Sequence, residues 1–185
     1  MKILHFSDSH AGGPPDDRTA YFDKRSVGIF NYKFRRRFQH NQRLLQKAVE
    51  YILSSDADLI VCTGDITSTG QPGEFKTALE TLYPIVGKKN LIYVPGNHDF
   101  YVYNSKCVDA LLQSFRILNG SRFSLSDLPL NIRFLDCDFI MLNESYPTNI
   151  LSSCGYVLRK DSEKILRILS KKRKISVFIC GKMFF

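Results

Sequence analysis

Short apolar runs, each followed by a polar loop, dominate the first half of the chain. Residues 2–7, 59–62 and 91–94 are the apolar runs, and they predict three buried strands. Apolar positions recur on one helical face over residues 44–53, and a second amphipathic helix is predicted from near Glu74. Strands that alternate with helices in this way indicate an α/β fold with parallel neighbouring strands.

The second half of the chain has a different pattern. Short sequential strands joined by tight turns are predicted at residues 123–128, 132–135 and 139–142. Residues 161–169 predict a further helix, and residues 175–180 another buried strand. A chain of 185 residues suits one domain, so we expect a single domain over residues 1–185.

Composition limits the class of protein. Hydrophobic residues make up 44% of the chain and charged residues 24%, as in ordinary soluble domains. No apolar stretch reaches the ~20 residues of a membrane span, and the N-terminus turns polar at Ser7, too early for a signal peptide. We therefore expect a cytoplasmic protein with no membrane span. The five cysteines are scattered without a C-x-x-C pair, which argues against a zinc knuckle or a disulfide framework.

The formal net charge is +8. A basic surface can attract phosphate-bearing substrates, including nucleotides and nucleic acid, although an ordinary basic surface gives the same value. Residues 33–38 mix basic and aromatic side chains within a longer insertion over residues 16–38. This run fits either a groove for single-stranded nucleic acid or an amphipathic insertion over a site.

Polar side chains follow each of the first three strands. Asp8 and His10 follow the first strand, Asp65 follows the second, and residues 96–99 (Gly-Asn-His-Asp) follow the third. Ligands bind beyond the carboxyl ends of strands in open α/β sheets, so we expect these loops to converge. Carboxylate, amide and imidazole groups suit Mn, Fe, Zn or Mg, and the pattern predicts two divalent metal ions of unknown identity.

The three loops, in this order, resemble the first three of five sequence blocks of the calcineurin-like metallophosphoesterases. The blocks are D-x-H at residues 8–10, G-D at 64–65 and G-N-H-[DE] at 96–99. The resemblance covers the whole chain in the order of its elements. Within the family, the sequence resembles the bacterial branch that includes cyclic-nucleotide phosphodiesterase-like proteins. It implies a four-layer αββα sandwich with the site at the edges of the two sheets.

The resemblance also implies roles for the metal ligands. Asp8 and His10 would hold the first metal ion, and Asp65 would bridge the two ions. Asn97 would bind the second ion. From the residues alone, Asp65 could instead cap a helix and Asn97 could simply form a turn.

Two further residues of the third block would act in catalysis. By the resemblance, His98 would donate a proton or hydrogen bond to the leaving oxygen, and Asp99 would orient its ring. Asp99 could instead cap the following helix. His5, inside the first predicted strand, is expected to be a packed core histidine.

The sequence departs from the family pattern near its end. The family expects histidines after a strand such as residues 175–180, where this chain has Gly181 and Lys182, and no histidine follows His98. Three metal-binding histidines would be missing, and the second sheet is expected to be incomplete, as in a truncated product.

The main prediction is a metal-dependent phosphoesterase that hydrolyses phosphomonoesters or, preferably, phosphodiesters through metal-bound hydroxide. A catalytically inactive remnant and a basic nucleic-acid-binding module on the same scaffold remain open, as does the oligomeric state.

Overall fold

Two three-stranded sheets organise the chain in a computed structural model that describes residues 1–36, 42–149, 155–170 and 176–181. The strands are β1 (Ile3–Phe6), β2 (Leu59–Cys62), β3 (Leu91–Tyr93), β4 (Leu130–Phe134), β5 (Cys137–Leu142) and β6 (Ser176–Cys180). Within the described ranges, the α-helices are α1 (Arg25–Asn31), α2 (Gln42–Ser54), α3 (Pro72–Leu82), α4 (Ser105–Leu118) and α5 (Arg159–Ser170). Residues 37–38 of the basic and aromatic run, residue 175 of the last predicted strand, and Lys182 lie outside the described residues.

The first sheet is parallel, with the order β1-β2-β3. All four residues of β2 are buried, because β2 is the central strand and is covered on both faces. In β1, by contrast, exposed and half-buried residues alternate, because β1 is an edge strand. The prediction of a core histidine at His5 was therefore wrong: His5 is exposed, and its Nε2 lies 2.8 Å from Thr63 Oγ1.

The second sheet has the order β4-β5-β6, with β4 antiparallel and β6 parallel to β5. Its buried side chains Phe139, Met141 and Ile179 belong to the same core as Ile60 and Ile92 of the first sheet. The two sheets thus share one apolar interior, and the predicted αββα fold is confirmed.

The local structure differs from the sequence prediction in two places. Residues 123–128 contain a 3₁₀ turn, Leu125–Asp127, instead of a strand, because Ser124 and Asp127 form a reciprocal capping box. Helix α4 was not predicted, although its buried residues Cys107, Leu111, Phe115 and Leu118 repeat with helical spacing. Among the described residues, no helix has the length and apolar character needed to cross a bilayer.

Candidate metal centre

The loops after β1 and β2 are joined to each other by backbone hydrogen bonds. Asp8 N–H donates to the Gly64 carbonyl across 3.1 Å, and His10 N–H donates to the Asp65 carbonyl across 2.9 Å. Ala11 N–H continues the ladder to the Ile66 carbonyl at 2.8 Å. The two predicted ligand loops therefore run side by side and bring their side chains to one edge of the sheet.

Three of the predicted metal ligands adopt left-handed backbone conformations. The φ angles are 60° at Asp8, 44° at His10 and 52° at Asp65. This region costs a residue with a side chain roughly 1–2 kcal/mol and is typical of functional sites. The interloop ladder holds these conformations, so the strain is offset by well-formed backbone bonds.

Two glycines allow the loops after β2 and β3 to approach each other. A Cβ atom on Gly64 would stand 1.9 Å from Gly96 N, and one on Gly96 would stand 2.1 Å from Asp65 Oδ1. Neither position has room for a side chain. The closeness lets His98 N–H donate to Asp65 Oδ1 across 2.8 Å, which ties the third predicted block to the second.

The potential metal-binding atoms of His10, Asp65 and His98 all lie within 4.8 Å of one another. His10 Nδ1 lies 3.2 Å from the Thr67 carbonyl oxygen, and His98 Nδ1 lies 2.7 Å from the Ser68 carbonyl oxygen. Because a carbonyl oxygen only accepts, each Nδ1 carries a proton, and in the neutral ring Nε2 then carries the lone pair. Both imidazoles are thus oriented for chemistry at Nε2.

Asp8 and Asn97 border the same site. Asp8 Oδ1 lies 3.5 Å from His10 Nε2, and Asp8, Asp65 and Asn97 together line a cavity of about 570 Å³. Apolar residues of both sheets, among them Val61 and Phe139, also line it, together with polar residues such as His5 and Thr63. Three of the four residues predicted as metal ligands therefore face one space between the sheet edges, and the fourth, His10, lies beside it next to Asp8 and Asp65.

Asp99 lies beneath the site, 1% exposed. Its Oδ1 accepts from the N–H and the hydroxyl of Thr67, and its Oδ2 accepts from the Tyr93 hydroxyl and from Gly96 N–H, all at 2.9–3.0 Å. The Ser68 carbonyl, instead of Asp99, is the hydrogen-bond partner at His98 Nδ1. In this geometry Asp99 acts on His98 indirectly, because it fixes the loop on which His98 stands.

The buried carboxyl groups of the site resist ionisation. Burial, together with the charge of the neighbouring Asp99 carboxylate, raises the pKa of Asp65 from 3.8 to about 7. Burial also raises the pKa of Asp99 above its ordinary value. Two neighbouring buried acids that resist ionisation are the environment that bound cations would neutralise.

The residues present fit a divalent metal site. The imidazole nitrogens of His10 and His98 converge with the Asp65 carboxyl group, and Asp8 and Asn97 line the adjoining cavity. Carbonyl groups outside the ligand set orient the two histidines, as is usual for metal-binding histidines. Gly181, where the family pattern calls for histidine, lines the cavity too. A Cβ atom at Gly181 would stand 1.8 Å from the Pro95 carbonyl oxygen, so this backbone does not accommodate a histidine there.

Several residues around the site were not singled out from the sequence. Thr67 and Ser68 contact the two histidines through their carbonyl oxygens, and the polar run that follows Asp65 was the available signal. Tyr101 stacks on His98 with ring centroids 5.3 Å apart, and Lys24 Nζ lies 4.4 Å from the Tyr101 ring centroid. The insertion before α2 thereby reaches the layer of side chains next to His98.

Comparison with known proteins adds evidence that is independent of this geometry. The model of the family described as calcineurin-like phosphoesterase matches residues 1–175. A protein of Vesicomyosocius okutanii subsp. Calyptogena okutanii (strain HA), named probable cyclic nucleotide phosphodiesterase, is 24% identical to this chain. The match covers 74% of this chain and 66% of that relative, so the chain spans a little under two thirds of the relative's length.

Proposed function

This chain belongs to the calcineurin-like phosphoesterase family, and we propose that it is a metal-dependent phosphoesterase that prefers phosphodiesters. The observation that carries the proposal is the approach of the imidazole nitrogens of His10 and His98 and the carboxyl oxygen of Asp65 to within 4.8 Å of one another. These residues follow the carboxyl ends of parallel strands, where an open α/β sheet binds its ligands.

Asp8 and His10 would hold one divalent ion, Asn97 a second, and Asp65 would contact both. Mn, Fe, Zn and Mg are all compatible with these oxygen and nitrogen donors. When bound, such ions acidify a water molecule and stabilise negative charge on the phosphoryl oxygens.

His98 would act on the leaving oxygen. Its Nδ1–H is engaged by the Ser68 carbonyl, so the proton that it delivers to substrate must be carried by Nε2. Stacking against Tyr101 restricts the ring further. His98 thus has a fixed orientation, as a general acid requires.

The preference for phosphodiesters is supported by similarity to a known protein. The name of the relative, a probable cyclic nucleotide phosphodiesterase, points to the same substrate class.

The test is hydrolysis by the purified chain after metal removal and reloading with Mn²⁺. We expect Mn²⁺-dependent cleavage of bis-p-nitrophenyl phosphate that exceeds cleavage of p-nitrophenyl phosphate, with cyclic AMP assayed in parallel. Asp65→Asn should lower the activity by about 100-fold or more, because the shared negative charge is lost. Asp109→Asn, at an exposed position on α4, is the matched control and should leave the activity unchanged.

Metal content measured on the same samples separates the possible outcomes. Mn²⁺ retained by the chain and lost in Asp65→Asn supports the site, whereas equal retention in both argues against it. Mn²⁺ binding without hydrolysis of any ester would favour the inactive remnant. Salt-sensitive oligonucleotide binding that Asp65→Asn leaves unchanged would favour the nucleic-acid-binding module.

A further inference from the structure

One face of helix α1, formed by the polar residue Arg25 and the small residue Gly28, is buried against the rest of the protein. Arg25 is 0% exposed, and its Nη2 donates to Asp23 Oδ2 at 2.8 Å while Nη1 donates to Asp17 Oδ2 at 3.3 Å. Gly28, one turn later, is buried so closely that an added Cβ would stand 2.3 Å from Thr69 Cγ2. This face therefore packs on the loop that carries the candidate metal centre.

The opposite face of the same segment is apolar and exposed to water. Val27, Phe30 and Phe34 are 40%, 62% and 61% exposed, and their spacing places them along one side of α1 and the turn that follows it. The rings of Phe30 and Phe34 contact each other, with centroids 4.5 Å apart. A surface helix ordinarily buries its apolar stripe and exposes polar residues, and here the arrangement is reversed.

Two aromatic residues shortly before α1 are also exposed: Phe22 is 90% exposed and Tyr21 is 60% exposed. A groove of about 730 Å³ runs beside the stripe, and its apolar lining includes Pro14, Pro15, Tyr21, Ile29, Phe30 and Phe34. We call the surface formed by Phe22, Val27, Phe30 and Phe34 the aromatic face.

The charge of the segment indicates what could cover this face. Residues 18–36 contain six basic residues and one acidic residue, so the segment has a formal charge of +5. The single acid, Asp23, is paired with Arg25. An exposed apolar stripe within a segment of net positive charge is the pattern of segments that lie in the interface of an anionic bilayer.

We propose that the aromatic face docks the protein onto anionic membrane surfaces, with α1 lying in the headgroup region. Apolar side chains enter the acyl boundary while the basic residues meet lipid phosphates. Single-stranded nucleic acid fits less well, because Val27 and the groove residue Ile29 offer no ring on which a base could stack. The proposal stands apart from the catalytic activity, since it uses none of the candidate metal ligands.

Vesicle co-sedimentation with the full chain tests the proposal. We expect binding to vesicles of phosphatidylcholine with phosphatidylglycerol, weaker binding to phosphatidylcholine alone, and weakening by salt. The combined variant Phe22→Ser/Phe30→Ser/Phe34→Ser should bind at least about 10-fold more weakly, because the apolar side chains that would enter the bilayer are removed. The matched control is Tyr51→Ser/Tyr83→Ser, which alters aromatic residues that are 67% and 63% exposed elsewhere on the surface.

A second measurement does not depend on the folding of the combined variant. The chain contains no tryptophan, so Phe30→Trp introduces a single fluorescent reporter. Its emission should shift to the blue when anionic vesicles are added, whereas Tyr83→Trp should show no shift. A shift at both positions, or at neither, would contradict the proposed orientation.

Three other outcomes would overturn the proposal. One is the absence of binding to anionic vesicles. Another is binding of a single-stranded oligonucleotide that the triple substitution abolishes while vesicles remain unbound, which would assign the face to nucleic acid. The third is self-association that the same substitution abolishes without any vesicle binding, which would assign the face to a second copy of the chain.

Discussion

The backbone N–H of His98 donates a hydrogen bond to the Asp65 carboxylate across 2.8 Å. This bond joins the loop after β3 to the loop after β2, and it needs only an acceptor oxygen at Oδ1. The negative charge on Asp65 is a separate property, which would contribute to binding the proposed metal ions. Substitutions at Asp65 can therefore separate the structural contribution from the contribution to metal binding.

We expect Asp65→Asn and Asp65→Ala to differ in stability although both lose metal binding. Asparagine retains an acceptor for His98 N–H, whereas alanine leaves that donor without its partner, at a cost of about 1–2 kcal/mol. Urea unfolding of the metal-free variants measures the difference. Equal free energies of unfolding for the two variants would show that the bond contributes nothing to the fold.

The proposed role of His98 predicts a dependence on the leaving group. His98→Asn should reduce kcat by about 10²–10⁴ for alkyl phosphodiesters, whose leaving oxygen needs a proton, and much less for p-nitrophenyl esters. Mn²⁺ affinity should stay close to that of the unmodified chain. Equal losses for both classes of ester, together with a large loss of Mn²⁺ affinity, would instead identify His98 as a metal ligand.

The positions of the ligand loops could be predicted because they depend on local sequence. Asp8, Asp65 and Asn97 each follow a short apolar strand, and parallel strands bring their carboxyl ends to one edge of a sheet. The orientation of His10 and His98 could not be predicted in this way. Each ring is fixed by a carbonyl oxygen at least 30 residues away, which only the folded chain brings near.

Helix α4 and residues 123–128 were missed for different physical reasons. In α4 the exposed Leu112 and Ile117 interrupt the separation of apolar and polar faces, so the helical period is obscured. Residues 123–126 alternate apolar and polar side chains as a strand does, yet the hydrogen bonds between Ser124 and Asp127 favour a turn. Edge and central strands are also alike in sequence, which explains the error at His5.

Gly96 should not tolerate a side chain. In Gly96→Ala the new methyl group would stand 2.1 Å from Asp65 Oδ1 and 2.5 Å from Asp65 N, so one of the two loops must move. We expect a loss of about 1–3 kcal/mol in the free energy of unfolding and a loss of Mn²⁺ binding. Gly13→Ala is the matched control, because nothing lies within 4 Å of a Cβ built there. Comparable stability of the two variants in urea would mean that the loops are not so closely packed.

Glu74 gives the fold a pH dependence that is independent of the metal ligands. Its carboxylate accepts hydrogen bonds from Thr69 N–H at 2.7 Å and from the Thr69 hydroxyl at 3.0 Å, and it thereby anchors the loop that follows Asp65. Burial raises the pKa of Glu74 from 4.5 to about 7, despite these bonds. The folded state thus binds the proton more tightly than the unfolded state does.

The sign of the effect on stability follows directly. The contribution of the protonated Glu74 is fully present below pH 4.5 and is lost as the pH rises through 7, and the shift corresponds to roughly 3 kcal/mol. Glu74→Gln mimics the protonated form and should remove this part of the decline in stability between pH 5 and pH 8. Urea unfolding at several pH values, without metal, gives the comparison. The pKa values of Asp65 and Asp99 are raised in the unmodified chain and in Glu74→Gln alike, so the difference between their two curves of unfolding free energy against pH isolates Glu74. Parallel curves would show that the carboxyl group of Glu74 is not buried as described.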